Sequence, residues 1–265
     1  MTVAAGTGVR PPHVLVTGAS RGIGAAIAHA LASEGWRVTL AARTLEALRA
    51  VRESLPAIVG AEPVCVALDV TDADSVARAF AAAREAAGPL QALVNNAGAV
   101  ETGPTARVPL ATWQRLLDIN LTGTFLCTQA ALPDLLGADA PGRIVNIAST
   151  AAQRGYAYCA AYAAAKHGVL GLTRSLALEL AAQGVAVNAV CPGYTDTDIV
   201  RDGVARIVAK TGRSAEDAMA GFVSANPMGR LVQPQEVAAT VRWLLRDAPA
   251  SLTGQAVSVS GGEVM

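Results

Sequence analysis

Short runs of apolar, β-branched residues alternate along this chain with longer alanine- and leucine-rich segments. That alternation is the pattern of βαβ units feeding a parallel sheet. Strands are predicted at His13–Thr17, Arg37–Ala41, Val64–Leu68, Ala92–Asn95, Arg143–Ala148, Val185–Val190 and Ala256–Val259. Their nearly continuous apolar character fits strands covered on both faces. Helices are predicted near Gly22–Ser33, Leu45–Leu55, Asp74–Ala87, Thr112–Leu136, Ala160–Ala182 and Gln235–Leu245. Asp198–Ala225 breaks the rhythm and reads as an amphipathic, lid-like insertion spanning about 194–225. The expected fold is therefore α/β: one doubly wound domain over 13–265, with a seven-stranded parallel sheet and helices on both faces. A short flexible tail, 1–12, precedes it. In such a sheet a ligand belongs at the carboxyl ends of the strands, near the point where strand order reverses.

Composition narrows the partners. Hydrophobic residues make up 52% and charged residues 16% of the chain, less charge than the roughly 25% of an average domain. The balance suggests much buried helix surface and a subunit interface. Twenty-one basic residues meet 21 acidic ones, without the basic footprint that a phosphate backbone demands, so no nucleic acid partner is expected. No uninterrupted apolar run of membrane-spanning length occurs, so no membrane partner is expected either. The first twelve residues lack a basic start followed by an apolar stretch, which argues against secretion and for the cytoplasm. Cys65, Cys127, Cys159 and Cys191 are far apart with no Cys-x-x-Cys, as free thiols in a reducing compartment would be. His13, His29 and His167 are equally scattered, and no metal site is indicated.

Candidate chemistry begins just after the first strand, at Thr17-Gly18-Ala19-Ser20-Arg21-Gly22-Ile23-Gly24. Glycine allows positive φ and lets backbone approach a phosphate closely. The helix that follows offers unpaired N–H groups and the positive end of its dipole. Glycine-rich turns also serve purely structural ends, and this spacing departs from Gly-x-Gly-x-x-Gly. Its position between strand and helix favours a dinucleotide. The second strand ends Leu40-Ala41-Ala42-Arg43, without the acid that usually holds a ribose 2′-hydroxyl. Arg43 and Arg21 are placed to clamp a 2′-phosphate instead, the alternative being two solvated arginines. The expected cofactor is NADP(H).

Tyr162 and Lys166 form Tyr-x-x-x-Lys on one face of a predicted helix. A tyrosine hydroxyl ordinarily titrates near pH 10, and a nearby ammonium would lower that value towards useful acid–base work. The same spacing is also the ordinary one for a surface helix pair. Tyr156 and Tyr158 have no lysine four residues on and are assigned packing or substrate-wall roles. Ser149 emerges just past an apolar strand. Asn95-Asn96-Ala97-Gly98 closes the fourth strand. Asn120 lies within a long predicted helix, an unfavoured place for asparagine, and marks a backbone deviation or a functional side chain.

In this order, from about Pro12 to Met265, these motifs resemble the short-chain dehydrogenase/reductase family with its Rossmann-type fold. Thr17–Gly24 is similar to the family's Thr-Gly-x-x-x-Gly-x-Gly loop and Asn95–Gly98 to its Asn-Asn-Ala-Gly. The resemblance implies a tetrad of Asn120, Ser149, Tyr162 and Lys166. It implies cofactor contacts from Gly18, Ser20, Arg21, Gly22, Ile23, Gly24 and Arg43. Asp69 and Val70 would meet the adenine, and Asn96, Ala97 and Gly98 would line the next turn. Pro192, Gly193, Thr195 and Thr197 would hold the nicotinamide carboxamide, and Tyr162 and Lys166 would touch the cofactor as well. Ser149 would orient the substrate oxygen, Tyr162 exchange its proton, Lys166 hold the nicotinamide ribose, and Asn120 position a relaying water. A homotetramer is also implied.

Within the family, Gly142–Thr150, Lys166–Val169, Val187–Gly193 and Gly229–Pro234 look most like bacterial 3-oxoacyl-thioester reductases and type II polyketide ketoreductases. Many of the latter carry Pro-Gly-Gly after the Asn-Asn-Ala-Gly turn, where this chain has Ala99-Val100-Glu101-Thr102-Gly103. The expected substrate is a small carbonyl compound or an acyl thioester on coenzyme A or a carrier protein. A general ketone reductase or secondary-alcohol dehydrogenase is the alternative, and a non-catalytic dinucleotide sensor a more distant one. Finally, Arg206, Lys210 and Arg213 are spaced to share one helix face, as a stripe for an anionic carrier or as a plain solvated surface.

Overall fold

The computed structural model describes residues 11–57, 62–137 and 141–265. Most of the tail expected over 1–12 therefore lies outside the described residues. Seven parallel strands form one sheet: β1 His13–Thr17, β2 Arg37–Ala42, β3 Val64–Ala67, β4 Ala92–Asn95, β5 Arg143–Ile147, β6 Ala186–Pro192 and β7 Ala256–Val259. Their order is β3-β2-β1-β4-β5-β6-β7, every neighbouring pair parallel. The chain runs outward from β1 to β3, then returns to pair β4 against the other side of β1. That reversal opens a crevice between the carboxyl ends of β1 and β4, as doubly wound sheets do.

The sheet is buried because helices cover both faces. On one side lie α1 Gly22–Ser33, α2 Leu45–Ser54 and α9 Pro234–Arg246, whose Ile27, Leu31, Leu48, Val237 and Val241 pack against Val14, Val16, Val38 and Leu40 of the sheet. On the other lie α3 Ala73–Ala87, α5 Gly123–Leu136 and α6 Ala160–Leu180, bringing Phe80, Leu135 and Leu180 to Leu15, Leu93 and Ile144. All five residues of β1 are buried, which is why that strand carries no polar alternation.

The long helix expected over Thr112–Leu136 is interrupted. Helix α4, Leu110–Leu117, passes into a π turn over Asp118–Thr122 before α5 begins at Gly123. Asn120 sits at the centre of that turn and is fully buried. Its Nδ2 donates to the carbonyls of Leu116 and Ala99, both at 2.9 Å. Side-chain capture of a backbone carbonyl is what an interior asparagine does to a helix, and π turns gather at functional places. The insertion after β6 becomes two helices, α7 Asp198–Thr211 and α8 Ala215–Val223. Gly212, at φ 69°, ends α7, so Arg213 is carried off the helix and only Arg206 and Lys210 share its face. No helix among the described residues is long and apolar enough to cross a membrane.

Candidate active site

The residues singled out by motif converge at the carboxyl ends of β1, β4, β5 and β6. Gly18 and Gly22 hold φ of 63° and 55°, a region in which a side chain would be strained. A Cβ on Gly24 would stand 2.3 Å from the Gly18 oxygen, so only glycine lets α1 approach the loop this closely. No side chain caps the start of α1 at Arg21, which leaves its first N–H groups facing the crevice. Thr17 laces this loop to β4, its hydroxyl oxygen accepting from the N–H of Asn96 and Ala97 at 2.9 and 3.0 Å. The Asn96 amide nitrogen donates in return to the carbonyls of Thr17 and Gly18, both at 3.0 Å. Asn96 thus fixes the loop rather than presenting a free amide.

Beside the loop a cleft of about 540 Å³ is lined by Arg43, Asp69, Val70, Ala97, Gly98 and Ile119, among others. The Asp69 carboxylate closes its own turn, accepting from the Thr71 hydroxyl at 2.7 Å and backbone N–H at 2.9 Å. Those bonds hold its pKa below the ordinary carboxylate value, with Arg43 adding a smaller pull. Arg43 is exposed at the rim. Arg21 is placed differently from expectation: its guanidinium faces Asp198 at the start of α7, at 3.4 Å with both partners exposed. Exposed pairs of that kind are weak, so Arg21 remains available to an anion. Above the loop, the Thr197 methyl comes within 3.2 Å of where a Gly22 Cβ would sit. The Gly193 N–H donates to Val259 at 3.0 Å, and the Thr195 hydroxyl donates back to the Gly193 carbonyl at 3.0 Å.

Ser149 stands just past β5, its Oγ accepting from the Ala151 N–H at 3.1 Å, and its hydroxyl acts on the Tyr162 phenol. The Lys166 ammonium lies 5.8 Å from the centre of the Tyr162 ring and donates to the Ile147 carbonyl at 2.8 Å. A Cβ on Gly98 would stand 2.9 Å from Asn120 Oδ1 and 3.7 Å from Lys166 Nζ, so serine, tyrosine, lysine and asparagine occupy one place. Here the acid–base expectation needs correcting. Burial pushes the Tyr162 phenol up to about 12, with the Ser149 bond pulling the other way. Burial also lowers the Lys166 ammonium to about 8. Desolvation is the largest influence on both groups. Asn120 differs too: both its amide protons are donated within the protein, and Oδ1 accepts from the Ala99 N–H at 3.3 Å.

A buried polar chain supports the site from beneath. Asn95 Nδ2 donates to Thr128 at 3.0 Å and to Asn146 at 2.9 Å, and Asn146 donates to Thr173 at 2.9 Å. Thr128 and Thr173 escaped sequence reading because threonine in helices α5 and α6 carries no special signature. Around the mouth, Tyr158 holds φ of 67° and is 65% exposed, and Tyr156 meets Tyr194 edge-on at 6.3 Å. Among the described residues no group of histidine, cysteine and carboxylate could hold a metal.

This sheet, loop and serine–tyrosine–lysine cluster define a dinucleotide-dependent oxidoreductase acting on a CH–OH centre. The chain belongs to the short chain dehydrogenase family, whose model matches residues 12–206. It is 42% identical over 253 residues to a 3-oxoacyl-[acyl-carrier-protein] reductase of Synechocystis sp., covering 95% of this chain and 96% of that one. A cis-4-hydroxycyclohexanecarboxylate dehydrogenase of Sinomonas cyclohexanicum is 40% identical over 252 residues, 94% of each chain. Among solved structures, a variant of actinorhodin polyketide ketoreductase with NADPH superposes with a TM-score of 0.88 at 39% identity, covering 96% of this chain and 97% of that one.

Proposed function

We propose that this chain is an NADPH-dependent reductase that converts a ketone to a secondary alcohol, with 3-oxoacyl thioesters on coenzyme A or a carrier protein as its substrate class. The observation that carries the reading is the convergence of Ser149, Tyr162 and Lys166 beside an uncapped, glycine-lined helix start. That start fits a pyrophosphate, and exposed Arg43 at the rim of the adjoining cleft fits a 2′-phosphate. Bound there, NADPH supplies hydride. Ser149 holds the carbonyl oxygen of the substrate. Tyr162, protonated at neutral pH like any phenol, gives its proton to that oxygen as negative charge develops on it. Lys166 would hold the ribose hydroxyls of the bound cofactor, and its charge would favour the phenolate left behind. Asn120 fixes the π turn and the Ala99 turn, and its Oδ1 keeps one lone pair for a relaying water.

The same reading includes α7 and α8 as a lid and a homotetramer assembled through apolar surface on α4, α5 and α6. Leu110 and Leu178 are 79% and 85% exposed there. A second reading, an alcohol dehydrogenase acting on free small molecules, draws support from the 40% identity to the hydroxycyclohexanecarboxylate enzyme. Steady-state oxidation of NADPH with acetoacetyl-CoA and with a free ketone of similar size separates the two. A kcat/KM at least tenfold higher on the thioester supports the first reading, and a preference for the free ketone overturns it in favour of the second. In Tyr162→Phe, turnover is expected to fall by about 10²–10⁴ with NADPH affinity unchanged, the usual loss on removing a general acid.

A further inference from the structure

Glu263, in the segment after β7, carries a carboxylate that the reaction does not use, and its side chain is 1% exposed. Its Oε1 accepts from the Tyr156 hydroxyl at 2.5 Å and from Arg154 Nη2 at 3.2 Å. Arg154 also donates to the Glu263 backbone carbonyl at 3.4 Å, and its guanidinium lies 4.6 Å from the centre of the Tyr156 ring. No donor among the described residues reaches Oε2, which lies against Gly193: a Cβ there would be 2.8 Å away. A buried carboxylate satisfied at one oxygen depends heavily on the partners it has.

Those partners wall the mouth of the site. A phenol has one proton; given to Glu263, it leaves the Tyr156 oxygen to accept from Thr150, whose Oγ1 is 2.7 Å away and whose neighbour is Ser149. The ring of Tyr156 stands edge-on to Tyr194 at 6.3 Å, and Tyr194 edge-on to Phe222 of α8 at 5.0 Å. One carboxylate therefore ties together the loop that bears the serine, the segment leading into the lid, and the lid itself.

We propose that Glu263 is a positioning residue that sets the substrate wall of the pocket by holding Tyr156, and through it the lid. The inference rests on the reading that this site reduces a carbonyl substrate. Misplacing a wall weakens substrate capture more than the chemical step, and shifts of about 1 Å are costly in an active site. Glu263→Ala is expected to raise KM for acetoacetyl-CoA about tenfold, with kcat within threefold and the NADPH Kd within twofold of wild type. Glu263→Gln keeps an oxygen for Tyr156 and should restore most of the KM. Tyr156→Phe should raise KM in the same direction, and the Glu263→Ala/Tyr156→Phe double variant should be no worse than Glu263→Ala, as for residues acting as one unit.

A second measurement needs no turnover. Trypsin cleavage within the lid, at Arg206 and Lys210 of the folded protein, should be several-fold faster in Glu263→Ala and near wild type in Glu263→Gln. An unchanged KM, a parallel loss of NADPH affinity, additive effects in the double variant, or unchanged lid cleavage would each overturn the proposal. If the wild type reduces no carbonyl compound, the functional reading falls while the cleavage assay still decides whether Glu263 holds the lid.

Discussion

Lys166 is a buried ammonium that donates to the Ile147 carbonyl at 2.8 Å. Burial lowers its pKa from 10.5 to about 8. At about 1.4 kcal/mol per pH unit, keeping this charge inside the fold costs roughly 3 kcal/mol at neutral pH. Methionine has similar volume and no charge. Replacing lysine with it removes that cost but leaves the Ile147 carbonyl short of a donor, which takes back about 1–2 kcal/mol. Lys166→Met is therefore expected to gain about 1–2 kcal/mol at pH 7, or roughly 3–6 °C in Tm for a chain of this size, while losing activity.

The pH dependence gives the sharper test. Below the folded value near 8, both native and unfolded chains hold the proton and the whole cost is present. Between about 8 and 10.5 the native state has released it while the unfolded chain still binds it. The unfolded state then binds more protons, so wild-type stability rises with pH through that window. Cys127 and Cys159 are common to both proteins and cancel, while Cys191, which the Lys166 charge pulls down against its burial, loses that pull in the variant. Urea denaturation at pH 7 and pH 10 should thus find the variant more stable at pH 7, with the gap narrowed or closed at pH 10. A variant less stable at pH 7, or a gap equal at both pH values, would refute the argument.

Two further outcomes follow from surface charge. Arg43→Asp should shrink or reverse a preference for NADPH over NADH in kcat/KM, since it removes a phosphate partner and adds repulsion; a preference left intact would remove Arg43 from cofactor selection. Changing Arg206 and Lys210 together to alanine should raise KM for a CoA thioester about threefold at low salt and less at about 0.5 M, where the Debye length is only a few ångströms. Equal effects on a thioester lacking the nucleotide would make the pair an ordinary solvated face.

Much of this molecule is written locally. The strands could be read almost to the residue because each is an apolar run bounded by turn residues. β1, β4 and β7 fall where expected, while β2 and β6 run on to Ala42 and Pro192. Asn120, Ser149, Tyr162 and Lys166 could be named together only through the family resemblance, since each motif alone has an ordinary structural reading, and the fold brings them to one place. Even the fault in the long helix had a signal, Asn120, although nothing local says that the deviation is a π turn. What escaped reading depends on distance or burial. Glu263 meets Tyr156 across 107 residues, and no pattern announces that contact. The titration of Tyr162 was read with the wrong sign because spacing says where a lysine lies along a helix, but not how dry the pocket is. Arg213 left its stripe because one glycine ended α7 early.

The π turn at Asp118–Thr122 also sets a limit on how this enzyme can change. One residue of helix is about 100° of rotation, so the extra residue held in the turn sets the azimuth of α5 relative to α4. Deleting any one residue there would let the segment close into an unbroken helix and turn every side chain on one half by that angle. Asn120 would leave the crevice, and Cys127, Ala131 and Leu135 would leave the core that they fill against the sheet. Point substitutions can be absorbed one contact at a time, but a change of length in these five residues cannot. The segment is thus a fixed ruler between Asn120 and the core-facing side of α5.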